Sequence, residues 1–228
     1  MFVSLLKKIN IVCSSEQLKQ LEKYFELLQQ WNEKMNLTTI INKEEVYQKH
    51  FFDSLLLTKN VVLEQQLICD VGTGAGFPGI VIKILFPKIK LFLVEAITKK
   101  CLFLQVVVEN LFLKDVTIIN NRVENIAIQY RDFFDIVTVR AVAKLNMLLE
   151  LCVPIVKVKG IFIALKSETR EELSNSQNAL KVLNTKLISI YSSNWDFLGK
   201  RTILYFIKQK AIDKLYPRDF AKIKQQPL

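Results

Sequence analysis

The chain has 228 residues, half of them hydrophobic, with 15 Phe but only 6 Gly and 5 Pro. That suits one domain with a large core, with room for an appendage, and excludes disordered, collagen-like and linker-rich classes. Lys and Arg total 32 against 22 acidic residues, a formal charge of +10, which suits a polyanionic partner such as nucleic acid or an anionic membrane surface. The cations are mostly lysine in a chain also rich in Ile, Asn and Phe, as a compositionally biased genome would produce. Charge therefore supports RNA binding without deciding it.

Residues 1–57 read as a helical N-terminal extension packed on a core formed by residues 58–228. The opening MFVSLLKKIN has no basic start, and Lys7-Lys8 breaks its apolar run, unlike a signal peptide. Ser14 and Gln17 form a capping box, followed by Leu18, Leu21, Phe25, Leu28 and Trp31 on one apolar helix face. A second helix is predicted from Glu44 to Leu57. From Gln66, short apolar runs alternate with helical stretches. Strands are predicted at Leu67–Val71, Lys90–Val94, Val116–Asn120, Asp135–Val139 and Gly160–Leu165. Helices are predicted at Gly79–Leu85, Thr98–Leu111, Lys144–Val153 and Glu168–Asn184. Doubly buried strands separated by helices make a parallel α/β sheet. Leu187–Ser192 and Thr202–Lys208, joined by a turn-like SNWDFLGKR, leave no room for a crossover and must form an antiparallel hairpin.

No apolar run approaches the roughly 18 residues of a spanning helix. Cys13, Cys69, Cys101 and Cys152 are scattered without ligand-like spacing, as expected of reduced thiols in a cytosolic core. The single histidine, His50, argues against a zinc site and most His-dependent triads. The expectation is a soluble cytoplasmic protein without metal, membrane attachment or an obligatory protein partner.

The densest chemical signal runs from Ile68 to Gly79. Asp70 lies near the end of a strand, Gly72, Gly74 and Gly76 follow it, and Gly79 opens a helix, a turn at which a ligand can approach backbone N–H groups closely. Gly74-x-Gly76-x-x-Gly79 fits a dinucleotide fingerprint, and Asp70-x-Gly72-x-Gly74-x-Gly76 fits the first motif of S-adenosylmethionine-dependent methyltransferases; a merely structural tight turn is the plain alternative. Glu95 closes the second strand, where either cofactor's ribose wants an acid. The terminal hairpin separates the two, because a methyltransferase sheet carries an antiparallel seventh strand and a nicotinamide-binding sheet normally does not. A nicotinamide oxidoreductase would also need a general acid near the cofactor, and no Tyr-x-x-x-Lys is present. The cofactor is read as S-adenosylmethionine. An RNA-binding assembly factor that kept the fold without activity has no reason to retain four loop glycines.

The run DVGTGAGFPG resembles that of the RsmG family (GidB, glucose-inhibited division protein B). Trp31-Asn32 with Asn36-Leu37-Thr38 is similar to that family's WN…NLT signature, and His50-Phe51-Phe52-Asp53-Ser54 to its H-x-x-D-S. Arg122-Val123-Glu124, Val139-Arg140-Ala141 and Ala164-Leu165-Lys166 resemble its motifs after the third, fourth and fifth strands. The resemblance covers nearly the whole chain. It implies a class I, Rossmann-like methyltransferase with a mostly parallel seven-stranded sheet. The implied reaction moves the methyl of S-adenosylmethionine to N7 of a guanine in bacterial 16S rRNA, in the decoding-region hairpin. The partner is then small-subunit rRNA or the subunit itself. Ser167 stands where the family usually has Gly, Glu95 where many relatives have Asp, and Thr138 where Ser is usual.

By this resemblance Asp70, Gly72, Gly74, Gly76, Phe77 and Glu95 hold the donor, with Val123 and Glu124 bordering its adenine. For Val123 ordinary core packing is the commoner role. Arg140, at a central strand end, faces the cofactor carboxylate or an RNA phosphate, against the plainer role of a surface ion pair. Lys166 faces the same choice or simple solvation. Arg140 and Lys166 are the candidate catalytic positioning residues. His50 and Asp53 share a helix face, where a local hydrogen bond is the plainer role. Guanine N7 already offers a lone pair, so the transfer needs no general base, and proximity alone can contribute about 7–11 kcal/mol. A chain without a Cys-Pro nucleophile or an Asn-Pro-Pro-aromatic loop fits a ring nitrogen better than cytosine carbon or an adenine amino group.

Overall fold

In the computed structural model, which describes residues 2–140, 143–167 and 169–228, the chain opens with helices α1 (Phe2–Lys8) and α2 (Ser15–Met35). Ala141 and Glu168, both part of sequence expectations, lie outside the described residues. The capping box forms: Gln17 N donates to Ser14 Oγ at 3.1 Å and Ser14 N to Gln17 Oε1 at 2.9 Å. Helix α2 buries Leu21, Tyr24, Phe25, Leu27 and Leu28, and ends at Asn36 in the left-handed region. The predicted Glu44–Leu57 helix changes pitch instead of running evenly. It is α3 (Lys43–Val46), a π turn at Tyr47–Phe52, α4 (Asp53–Leu55) and a 3₁₀ turn at Leu56–Asn60. Propensity does not encode such a π turn, which packing imposes and which is common beside functional sites.

The α/β part then alternates β1 (Leu67–Val71), α5 (Gly79–Leu85), β2 (Lys90–Glu95), α6 (Thr98–Asn110), β3 (Val116–Asn120), α7 (Val123–Ile126) and β4 (Phe134–Arg140). It continues through α8 (Leu145–Cys152), β5 (Val156–Lys166), α9 (Arg170–Ser174), α10 (Gln177–Val182), β6 (Thr185–Trp195), β7 (Gly199–Lys208) and α11 (Phe220–Gln225). The seven strands form one sheet in the order β3-β2-β1-β4-β5-β7-β6. All pairings from β3 to β5 are parallel, and β7 is antiparallel to both β5 and β6, as the sequence predicts.

Two further expectations are corrected. The predicted Glu168–Asn184 helix is two short ones, interrupted at Asn175–Ser176, where Ser176 Oγ donates back to Glu172 O at 2.6 Å. Short polar side chains compete with the helical backbone in this way. The SNWDFLGKR segment is mostly strand: pairing runs out to Trp195 opposite Gly199, because cross-strand partners override the turn preference of Ser, Asn and Gly. Helix α11, which the sequence pattern did not announce, is tied down by Arg218, which donates to both oxygens of the buried Glu150 at 2.6 Å.

The sheet is buried on both faces. One core cluster joins it to the N-terminal helices through Leu21, Tyr24, Phe51, Ile80 and Phe103; the other, with Val137, Leu149 and Phe162, lies beneath α8. Each fully buried side chain of this size contributes roughly 1.5–3 kcal/mol. Cys69, Cys101 and Cys152 are buried free thiols, and burial raises the pKa of each. Strand order reverses between β1 and β4, which opens a crevice at their carboxyl ends.

Candidate cofactor and acceptor site

The crevice begins with the loop after β1. Gly72, Gly74 and Gly76 have φ of 64°, 61° and 98°, a region that side chains resist. Their surroundings differ. A Cβ on Gly74 would meet only Gly72 O, at 4.0 Å, so this glycine borders open space. A Cβ on Gly76 would meet Tyr24 Oη at 2.6 Å and Ile80 Cγ1 at 2.7 Å, and one on Gly79 would meet Leu93 Cδ2 at 2.6 Å. Gly76 and Gly79 thus let the N-terminal helix and β2 approach the loop, while Gly74 leaves room for a ligand.

Asp70 braces this loop from beneath. Its Oδ2 accepts from Thr73 Oγ1 at 2.6 Å and from Gly79 N at 2.8 Å, joining the two ends of the turn. Complete burial pushes its pKa up to about 7, against the lowering effect of those two bonds. Asp70 Oδ1 and Thr138 Oγ1 are buried without a hydrogen-bond partner among the described residues, and the two residues are opposite one another in the β1–β4 register. Glu95 accepts from Gly74 N at 3.0 Å and from Ile97 N at 2.9 Å. It therefore ties two loops together, and each carboxylate oxygen retains acceptor capacity for a hydroxyl. Val123 opens α7 and belongs to the core, and Glu124 lies 3.8 Å from Arg122 Nη1.

The other wall gathers residues far apart in sequence. Arg140, at the end of β4, donates from Nη1 to Asp53 Oδ2 at 3.3 Å, and its Nη2 lies 3.4 Å from His50 Nδ1. Its guanidinium sits 5.1 Å from the centre of the Phe77 ring, on which His50 also stacks at 4.6 Å. Arginine only donates, so His50 Nδ1 accepts, and Nε2–H is assigned as donor to Thr38 Oγ1, 2.8 Å away. Burial, then the Arg140 charge, lower the His50 pKa to about 4, which keeps the ring neutral. Asp53 Oδ1 accepts from Arg201 Nε at 3.0 Å. Burial raises the Asp53 carboxyl pKa, and the two arginines oppose that rise.

His50, Asp53, Arg140 and Arg201 line a cleft of about 450 Å³ together with Lys49, Lys166 and Ser167. Another hollow, of about 620 Å³ between α1, α2 and α3, includes none of them. The Lys166 ammonium is held by protein groups. It donates to Ala143 O at 2.6 Å and pairs with Glu172 at 2.7 Å, with only 10% of the side chain exposed. Ser167 sits in an exposed bend whose backbone is not left-handed, so a side chain in place of glycine adds no strain there.

The structure places Asp70, Gly72, Gly74, Phe77, Glu95 and Arg140 at or just beyond the carboxyl ends of β1, β2 and β4, with Glu95 bonded to the Gly74 amide and Phe77 against Arg140. His50 keeps the plainer role in part, through its local bond with Thr38, and adds to it: His50 and Asp53 also reach Arg140 across 90 and 87 positions. Arg201 also lines the Arg140 cleft, and Thr38 is joined to it through its bond with His50. The available signal for Arg201 was its type, since an arginine in a lysine-rich chain marks a place where a planar, forked donor is needed.

The GidB family profile, described as rRNA small subunit methyltransferase G, matches residues 17–201. A Geobacillus protein named Ribosomal RNA small subunit methyltransferase G is 42% identical over 232 residues, covering 100% of this chain and 98% of its own. A protein of the same name from Lysinibacillus sphaericus is 44% identical over 222 residues, covering 95% and 93%. Among solved structures, M. jannaschii TYW2 in complex with AdoMet superposes with a TM-score of 0.58 at 14% identity, covering 75% of this chain and 79% of that one. A 16S rRNA (adenine(1408)-N(1))-methyltransferase from Catenulisporales acidiphilia gives 0.55 at 12% identity, covering 66% and 88%. At such identities the likeness is one of fold, the class I S-adenosylmethionine-dependent methyltransferase fold. The match over most of its length and the close full-length relatives place the chain in the GidB family, rRNA small subunit methyltransferase G.

Proposed function

We propose that the chain transfers the methyl group of S-adenosylmethionine to N7 of a guanine in 16S rRNA of the small subunit. The observation that carries this reading is the placement of the open Gly74 loop beside the Arg140–Asp53–Arg201 cleft, with Phe77 between them. When bound, S-adenosylmethionine supplies an electrophilic sulfonium methyl. Gly74 leaves room for it beside the left-handed turn at Gly72, Glu95 would take a ribose hydroxyl, and Val123 and Glu124 would flank the adenine. Arg140 holds its place through Asp53 and His50, within reach of the donor carboxylate or an RNA phosphate.

Among the described residues that line the cleft, no side chain is poised to remove a proton. The acceptor lone pair of His50 faces Arg140, and both Asp53 oxygens are engaged by arginines. That arrangement suits a nucleophile that needs no deprotonation, such as guanine N7, and leaves alignment as the source of acceleration. Arg140 and Arg201 share the single carboxylate of Asp53, and Lys49 in the same lining is paired with Glu45, so the two arginines leave a net positive charge that can face an RNA phosphate. Residues 58–228 would carry the transfer, with residues 1–57 packed on them, and the reaction would take place in the cytoplasm. No helix of the described residues is long and apolar enough to cross a membrane.

The test maps modified guanines in small-subunit rRNA from cells with and without the gene. Methylation at N7 labilises the purine, so reduction followed by aniline should cut the chain at that base. Labelled methyl transferred to rRNA without an aniline-sensitive site would refute the N7 assignment and leave the methyltransferase intact.

A further inference from the structure

Three donors on one stripe of α2 end on backbone carbonyls of the α/β part. Gln17 Nε2 donates to Ile84 O at 2.8 Å and Leu85 O at 3.1 Å, Gln20 Nε2 to Leu111 O at 2.9 Å, and Tyr24 Oη to Ala75 O at 2.5 Å. Positions 17, 20 and 24 are successive neighbours on a helix surface. Ile84 and Leu85 end α5 and Leu111 follows α6, so the two glutamines satisfy carbonyls that a helix terminus leaves without intrahelical partners.

Tyr24 does something different. Its hydroxyl ends in the glycine loop. Gln17 and Tyr24 are separated by about 10 Å along the helix axis at 1.5 Å per residue, close to the length of the seven-residue α5. Helix α2 thus grips both ends of the unit from Ala75 to Leu85. The Tyr24 ring is fully buried, stacked on Phe51 at 5.4 Å and tilted against Phe77 at 5.5 Å. Gly76 approaches so closely that a Cβ would collide with the hydroxyl.

We propose that Tyr24 is a positioning residue for the methyl donor: its hydroxyl anchors the Ala75 carbonyl and so holds the loop from Gly74 to Gly76 in the donor-binding conformation. This rests on the glycine loop being the donor's seat. A segment with three glycines at positive φ has many competing conformations. An anchor from outside raises the fraction of molecules that are ready to bind, and the apparent Kd rises in proportion as that fraction falls.

The experiment is calorimetric titration of the full-length protein with S-adenosylmethionine and with S-adenosylhomocysteine, without RNA. Tyr24→Phe keeps both ring contacts and removes the anchor. It should weaken both ligands about five- to ten-fold, raise KM for the donor, and leave kcat at saturating donor and KM for RNA within about two-fold. Gln20→Met removes a bond of the same stripe away from the loop; it should lower the melting temperature without changing donor affinity. Donor affinity for Tyr24→Phe within about two-fold of wild type would overturn the proposal. Should that variant not fold, hydrogen exchange on the wild-type protein decides: amides from Ala75 to Phe77 should be as protected as those of α2, and much faster exchange overturns the anchor. Tight donor binding by Gly74→Leu would instead refute the loop as the donor's seat.

Discussion

Arg201 Nε donates to Asp53 Oδ1 at 3.0 Å across 148 positions of the chain, while Asp53 Oδ2 accepts from Arg140 Nη1 at 3.3 Å. One carboxylate, 9% exposed, therefore orients guanidinium groups from β4 and β7, two strands separated in the sheet by β5. Asp53→Asn removes the charge that lets two cations share this cleft. The variant should lose about 2 kcal/mol in urea denaturation, less than the 3–5 of a fully buried pair because water still screens the arginines. Methyl transfer to RNA should fall at least about ten-fold, the factor that corresponds to 1.4 kcal/mol. Unchanged transfer would mean that the bridge is structural only.

The single histidine makes His50 directly visible by NMR. Its ring signals should titrate near pH 4, well below the usual histidine range, because of burial and the Arg140 charge. Arg140→Gln should move the midpoint upward. The folded pKa lies below the unfolded value of 6.5, so the unfolded chain binds the proton first as pH falls. Stability from this group is full above about pH 6.5 and declines as pH drops toward 4. Asp70 works in the opposite sense. Its folded pKa of about 7 lies above the ordinary 3.8, so its contribution is lost as pH rises from about 4 to 7. Asp70→Asn should steepen the net rise of stability with pH in that window, as measured by denaturant midpoints.

The loop glycines should separate binding from folding. Gly74→Leu places its side chain in the open space and should abolish the thermal shift given by S-adenosylmethionine, at a folding cost of about 1–2 kcal/mol for the left-handed backbone. Gly76→Ala meets Tyr24 and Ile80 instead, and should destabilise the protein even without ligand. Scanning calorimetry with and without the donor distinguishes the two patterns.

If the +10 charge serves RNA docking, log kcat/KM for RNA should fall linearly with log salt, with a slope set by the number of phosphates contacted. Donor affinity should vary much less over the same range. A flat response for RNA would leave the lysines without a docking role.

What the sequence determined by itself was local in origin. Alternating apolar runs predict the strands and their parallel order, because a strand buried on both faces needs apolar side chains at every position. The Ser14–Gln17 box needs only residues three apart, and the Asp70–Gly79 loop announces itself because left-handed backbone selects glycine. The closing hairpin follows from connector length.

Only the tertiary structure decided the rest. The π turn at Tyr47–Phe52 sits within a segment whose local pattern is an ordinary helix, and it places His50 and Asp53 against Arg140 instead of against each other. SNWDFLGKR reads as a turn until β7 supplies partners for its backbone, and Arg201 becomes a cleft residue only through that pairing. Lys166 lies at the expected strand end, yet its ammonium is held by Glu172, a residue on a different element. These outcomes depend on contacts between distant segments, whose energies exceed local preferences and are absent until the chain has folded.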